Sequence, residues 1–250
     1  MDDYGKVSII TPMYNSEKYI IETISSVLQQ TYKNFEMIII DDNSNDNSNA
    51  LVRQIDDARI IMLKNETNCG PAVSRNKGIE FATGRFIAFL DSDDVWMPDK
   101  LEKQLSFMVS NNYAFSCHDY YVYNDDFSIE IKNYICPKVV GYKDILKNNT
   151  IGCLSAVFDT AVIEKKYMPT NKFTREDMVL WLTILKDYPF CYALNQSLAK
   201  YRYRKNSISG NKRKLLKYQY RMYRDNLKFG PFKSYYYLFI NIITKIFRKY

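Results

Sequence analysis

The sequence predicts an α/β protein, a mostly parallel sheet with helices on both faces, followed by a smaller antiparallel region and a helical C-terminal tail. Three observations carry this reading. Over the first hundred or so residues, short apolar runs alternate with helical patterns. Beyond Pro98 that alternation stops, and the stretch 113–135 is rich in Tyr and Phe. From about residue 210 the chain turns basic while apolar residues recur at helical spacing.

The elements follow in order. The run VSIIT at 7–11 reads as a strand ending at Pro12, and residues 16–30 as a helix with Ile20, Ile24, Val27 and Leu28 on one face. Residues 35–40 (FEMIII) are nearly continuous in apolar character, as a strand covered on both faces should be. A polar turn at 41–46 leads to a helix over 47–57, then a strand at 59–63. Pro71 suits a first helical position and opens a helix to about residue 83. The fourth strand, 85–90, runs into DSDD at 91–94. Next come a helix over 98–111 with Leu101, Leu105 and Met108 inward, antiparallel strands within 113–135, and a helix near 142–148. A strand near 153–158, a helix at 175–187 and a strand at 190–203 complete the body.

With 250 residues the chain buries a sizeable core, and 46% apolar with 25% charged residues excludes wholesale disorder. No apolar run approaches the roughly 18 residues of a spanning helix, and the N-terminus lacks a secretory signal pattern. Five cysteines without a CxxC pair argue against a disulfide framework, so a reducing cytoplasmic compartment is expected. A single histidine, His118, makes a zinc site hard to build; set in an aromatic strand region, it reads as structural. Charge is uneven: residues 200–250 hold 15 Lys/Arg and one acid, Asp225, for +14, while the whole chain is +7, so residues 1–199 carry −7.

Ligands of parallel sheets bind beyond the carboxyl ends of the strands. Here those ends carry Pro12, Tyr14 and Asn15 after the first strand, Asp41 and Asp42 after the second, and Asp91, Ser92, Asp93 and Asp94 after the fourth. Crowded carboxylates repel unless a cation or hydrogen-bonding ligand satisfies them, and one or two carboxylates plus substrate phosphates is the usual Mg2+ or Mn2+ arrangement. The plain alternative, helix caps and turns, suits Asp46 and Asn47, which precede a helix. It does not suit Asp91 and Asp93, since a cap needs one acceptor and three carboxylates crowd here. Neither GxGxxG nor GxxxxGK[ST] occurs, which weighs against a dinucleotide oxidoreductase or a P-loop ATPase.

Four segments in this order, VSIITPMYN at 7–15, IIIDDNSND at 38–46, Gly70 with RNKG at 75–78, and FLDSDD at 89–94, resemble the family 2 glycosyltransferases of GT-A fold, a Rossmann-like architecture. EDMVLW at 176–181 and YRYRKNSIS at 201–209 look like that family's later acidic pair and closing motif. The resemblance covers residues 7–209. It implies a nucleotide-sugar half (1–97), an acceptor half (98–209) and a separate tail (210–250).

The resemblance implies a role for each matching residue. Asp91, Asp93 and Asp94, with Ser92, would hold a divalent metal (Mn2+ or Mg2+) against the donor diphosphate. Asp42 would bond the nucleobase, commonly uracil, walled by Pro12 and Tyr14 beside Asn15. Arg75, on the exposed side of its helix, would lie near the diphosphate. Asp177 would be the base that deprotonates the acceptor, with Glu176 beside it. One direct displacement would invert the anomeric configuration. The family often has His in the closing motif where Arg204 stands here; a guanidinium cannot ligate a metal but can bind phosphate.

In the tail, Lys214, Lys217, Arg221, Arg224 and Lys228 fall on one arc of a helix over 211–229. A second helix after Pro231 places Phe239, Ile242, Ile243, Ile246 and Phe247 on one face, with Asn241, Lys245, Arg248 and Lys249 away from it. Such helices suit an anionic membrane surface at the cytoplasmic face; docking on the chain's own body or in a homodimer is the alternative, and no nucleic acid is expected. The expected activity is transfer from a UDP-sugar to a glycan or lipid-linked glycan in surface polysaccharide or lipopolysaccharide synthesis. A nucleotidylyltransferase and a non-catalytic membrane-associated scaffold of the same fold are the rivals.

Overall fold

The computed structural model describes residues 3–171, 175–204 and 212–247. The first half is built as expected: β1 (Val7–Met13), α1 (Ile20–Leu28), β2 (Phe35–Asp41), α2 (Ser48–Arg53), β3 (Ile60–Lys64), α3 (Pro71–Phe81) and β4 (Phe86–Phe89). Then come β5 (Val95–Trp96), α4 (Lys100–Ser110), β6 (Phe115–Tyr123), β7 (Glu130–Tyr134), β8 (Val139–Gly141) and α5 (Tyr142–Lys147). The body ends with β9 (Val157–Asp159), α6 (Glu176–Asp187) and β10 (Phe190–Arg202). Helices α7 (Lys212–Arg221) and α8 (Pro231–Phe247) form the tail.

All ten strands join one sheet, with the path β3-β2-β1-β4-β9-β6-β10-β5; β7 is added on β6 and β8 on β10. The β1, β2, β3 and β4 pairings are parallel, as is the long β6–β10 pairing. Short β9 runs antiparallel between β4 and β6 and welds the two halves. The unbroken apolar run of β2 is explained by cores on both faces: Ile38 and Ile40 enter one, Met37 and Ile39 the other. Helices α3 and α6 cover the first face, α1 and α4 the second.

The structure differs from expectation in short elements. Residues 153–155 form a 3-10 turn before β9 rather than the start of a strand, and β5 and β8 were not foreseen. The tail's first helix passes into a π-helical turn at Met222–Asn226. Its residues Met222 and Tyr223 are fully buried in the same core as Trp181 and Phe115. Asn241, expected to face away, is 1% exposed, because its amide donates to the Lys147 carbonyl at 2.8 Å. Phe239, read as part of the helix's apolar face, is exposed. The side chains of Lys214, Ile246 and Phe247, residues 248–250, and residues 205–209 of the closing motif lie outside the description.

Candidate active site

The carboxyl ends of β1, β2 and β4 open on one side of the sheet, and each delivers its expected residues. After β1 the chain turns through Asn15 in the left-handed region (φ 48°), which Asn tolerates, leaving Tyr14 exposed and Pro12 half-buried. Asn15 accepts the Asn45 N–H at 2.9 Å, tying this loop to the one after β2. Asp42 is buried, and its carboxylate accepts Cys69 N–H at 2.9 Å, Gly70 N–H at 2.7 Å and the Asn65 amide at 2.8 Å. It thus caps the N-terminus of α3, where Pro71 takes the first helical position as expected.

Arg75 corrects the sequence reading. It is not on the exposed side of α3 but buried, because Asn76 exchanges two 2.8 Å hydrogen bonds with the Met168 backbone and lays that segment over it. Its Nη2 donates to Asp91 at 2.5 Å, and Nη1 sits 3.7 Å from Glu176. One guanidinium therefore joins the acidic run after β4 to the acidic pair that opens α6. Asp177, next to Glu176, accepts a hydrogen bond from the Asn149 amide at 2.7 Å. Burial raises the Glu176 pKa; Arg75 opposes that rise and Asp177 adds to it.

The other acids of the run are held by arginines at the end of β10 and just beyond it. Arg204 pairs with Asp93 at 2.6 Å. Arg202 donates its backbone N–H to Asp94 at 2.8 Å and its Nε to the Asp93 carbonyl at 2.8 Å, while its Nη2 reaches Glu22 at 2.5 Å. The guanidiniums of both arginines stack over Tyr19. Arg202 escaped the sequence reading although it lay in the quoted motif. Its place as the last residue of a strand, two before Arg204 in the same motif, was the available signal. Asn149 had no such signal. Ser92 is buried and shares a 2.7 Å hydrogen bond with Ser16. His118 is buried in β6 with Nδ1 2.7 Å from the Asp119 carbonyl, and burial pushes its pKa down to about 3, so it is neutral.

Arg75, Arg202 and Arg204 only partly offset the crowded, buried charge of the acidic run. Burial and then the Asp91 charge push Asp93 up to about 6, and Asp94 is pushed well above the usual range by burial and by its two acidic neighbours. Among the described residues, no partner meets the buried Asp94 Oδ2. Those are the properties of a site that a divalent cation would relieve, so the residues fit one. Among the described residues no three His, Cys, Asp or Glu side chains make a cage alone. A cation held by one or two carboxylates and completed by phosphate oxygens needs none.

Residues 8–170 match the family model described as glycosyl transferase family 2. Over 98% of this chain and 95% of its own length, the UDP-Glc:alpha-D-GlcNAc-diphosphoundecaprenol beta-1,3-glucosyltransferase WfgD of Escherichia coli is 43% identical. The putative teichuronic acid biosynthesis glycosyltransferase TuaG of Bacillus subtilis is 44% identical over 88% of this chain and 87% of its own. In fold, the structure is similar to S. aureus TarS 1–349 in complex with UDP-GlcNAc, with TM-score 0.73 and 20% identity over 95% of this chain and 71% of that one. The mannosyltransferase PcManGT of Pyrobaculum calidifontis, in complex with GDP-Man and Mn2+, has TM-score 0.68 and 16% identity over 94% and 70%.

Proposed function

The chain belongs to glycosyl transferase family 2 and is a glycosyltransferase, and from that premise we propose that it transfers a hexosyl or N-acetylhexosaminyl group from a UDP-sugar to a lipid-linked glycan. The reaction inverts the anomeric configuration and serves surface polysaccharide synthesis. The observation that carries this is the Arg75 bridge, which brings the donor-side run Asp91–Ser92–Asp93–Asp94 and the pair Glu176–Asp177 into one site. The activities in the names of the E. coli and B. subtilis relatives support the substrate class.

Asp177, oriented by Asn149, takes the proton of the acceptor hydroxyl as its oxygen attacks the anomeric carbon. The bond to the nucleoside diphosphate breaks with its electron pair leaving on the diphosphate. Arg204, 39% exposed beside Asp93, donates hydrogen bonds to the diphosphate. Asp91, Asp93 and Asp94 would hold Mn2+ or Mg2+, which when bound supplies Lewis-acid stabilisation of the leaving diphosphate. Pro12, Tyr14, Asn15 and Asp42 form the nucleoside end: Tyr14 and Pro12 wall the base, and Asp42 both shapes that wall through the α3 N-terminus and faces the nucleobase.

The enzyme works at the cytoplasmic face of a membrane, peripherally, with 210–250 as the attachment. No described helix is long and apolar enough to cross a membrane. Nucleotide release from a panel of sugar nucleotides, with and without Mn2+, tests the proposal. UDP-sugars should be turned over only with metal, and Asp93→Ala should abolish turnover while keeping the thermal melt. Wild-type turnover in that variant would sink the assignment.

A further inference from the structure

Helix α8 has two apolar faces with different fates. Ser234 and Asn241 are buried, and the Tyr237 ring packs 5.8 Å from Tyr223 and 5.7 Å from Phe229. That face, with Leu238, is docked on the body. Phe232, Tyr235, Tyr236 and Phe239 face the other way, 91%, 60%, 59% and 61% exposed. Their spacing is i, i+3, i+4, i+7, one continuous ridge along the helix. Tyr235 leans on the Tyr220 ring of α7, 4.8 Å between centroids; beyond that contact no described segment covers the ridge, and large aromatics in line on water are costly to leave there.

The surroundings select the occupant. Lys217, Arg221 and Lys228 on the preceding segment, and Lys233 and Lys245 on α8, are exposed. The 200–250 segment carries +14 while the rest of the chain is −7. A second copy docking ridge to ridge would bring two basic tails together, whereas an anionic lipid surface complements them. Phe and Tyr are also the side chains that settle at the boundary of headgroups and acyl chains. At 17 residues, α8 fits lying in that boundary rather than spanning it.

We propose that the Phe232, Tyr235, Tyr236 and Phe239 ridge is the part of this protein that enters an anionic phospholipid surface, with α8 in the plane of the membrane and its opposite face fixed to the catalytic body. This rests on the peripheral-membrane reading above and adds to it a surface and an orientation. Basic charge draws the chain to the lipid; the ridge supplies attachment that salt does not release.

The test uses the full chain and vesicles of phosphatidylcholine containing about a third phosphatidylglycerol, in low salt and in about 1 M salt, where screening acts within about 3 Å. Wild type should co-float in low salt and remain partly bound in high salt. A quadruple variant, Phe232→Ser, Tyr235→Ser, Tyr236→Ser and Phe239→Ser, should stay folded with a cooperative melt, losing only the Tyr220–Tyr235 ring contact, and lose its salt-resistant binding, by about tenfold or more. A second variant, Phe239→Trp, reports directly, since both native tryptophans are buried. Its emission should shift to the blue on vesicles and be quenched by brominated lipid. If wild type does not bind vesicles, the membrane reading itself fails. If wild type binds and the quadruple variant binds equally, or the new tryptophan is not quenched, the reading stands and the ridge is wrong. A wild-type dimer in lipid-free solution that the quadruple variant abolishes would identify a second copy as the occupant and overturn the proposal.

Discussion

Replacing Arg75 by Met tests the bridge on which the site is built. Methionine keeps much of the buried volume and removes the charge, so the loss is electrostatic rather than a cavity. Stripping one partner from a buried ion pair costs about 3–5 kcal/mol, because the remaining charge is left without compensation. Here the stranded carboxylates, Asp91 and Glu176, keep 31% and 24% side-chain exposure, so solvent recovers part of that cost. The expected loss is about 2–3 kcal/mol, or roughly 4–12 °C in Tm for a chain of this size. The sharper readout is a double-mutant cycle in urea. In the wild type, Glu176→Gln removes one of two partners of a buried cation and should destabilise. In the Arg75→Met background it removes one of two like charges and should stabilise, with a coupling of about 0.5–3 kcal/mol. An effect of the same sign and size in both backgrounds would refute the bridge.

Three further outcomes are expected. Asp177→Asn should leave donor affinity within a few-fold of wild type and reduce transfer by roughly 10²–10⁴-fold; collapse of donor binding would show that Asp177 is a donor ligand. Gly84→Ala should destabilise more than Gly78→Ala in chemical denaturation. Its Cβ would meet backbone atoms, Lys6 O and Ser8 N, at 2.7 Å, whereas at Gly78 the Cβ meets the ends of Ile10 and Ile40 side chains at 2.6 and 2.8 Å. Equal losses would mean that the backbone there yields as readily as a side chain. His118 should set an acid-side slope. With a folded pKa near 3 against about 6.5 unfolded, the unfolded chain binds the extra proton between those values. Its contribution is thus complete above pH 6.5 and lost as pH falls towards 3. His118→Leu should therefore lose about 2 kcal/mol less than wild type between pH 7 and pH 5; identical slopes would place a partner or solvent on the imidazole.

The first four strands were legible because each is an apolar run bounded by turn residues, and a two-sided core leaves such runs nothing else to be. Strands β5 and β8, two and three residues long, have no period to read. Their pairing with β10 is a property of the assembled sheet. The acidic residues were visible as chemistry, but their counter-ions were not: whether Arg75 is buried depends on the distant Met168 segment. Which face of α8 docks stays open in the sequence, because the helix is apolar on most sides and periodicity alone cannot choose. Asn241 was set away from the apolar face with the charged residues, and its burial was not legible, since a buried amide is stable where it finds a carbonyl.

The last turn of α5 has an unusual dependence on the chain's far end. A helix leaves its final carbonyls without internal partners. Here Tyr223 supplies a hydroxyl to the Leu146 carbonyl at 2.6 Å, and Asn241 an amide to that of Lys147 at 2.8 Å. Asn149, which holds Asp177, follows two residues later. The tail therefore cannot be exchanged between relatives as an independent cassette. A chimaera that swapped it would have to carry both donors, or it would release the segment that holds the Asp177 carboxylate. By the same connection, divergence in the tail is constrained on its inward face, where Tyr223 and Asn241 meet α5, and is freer on its outward face.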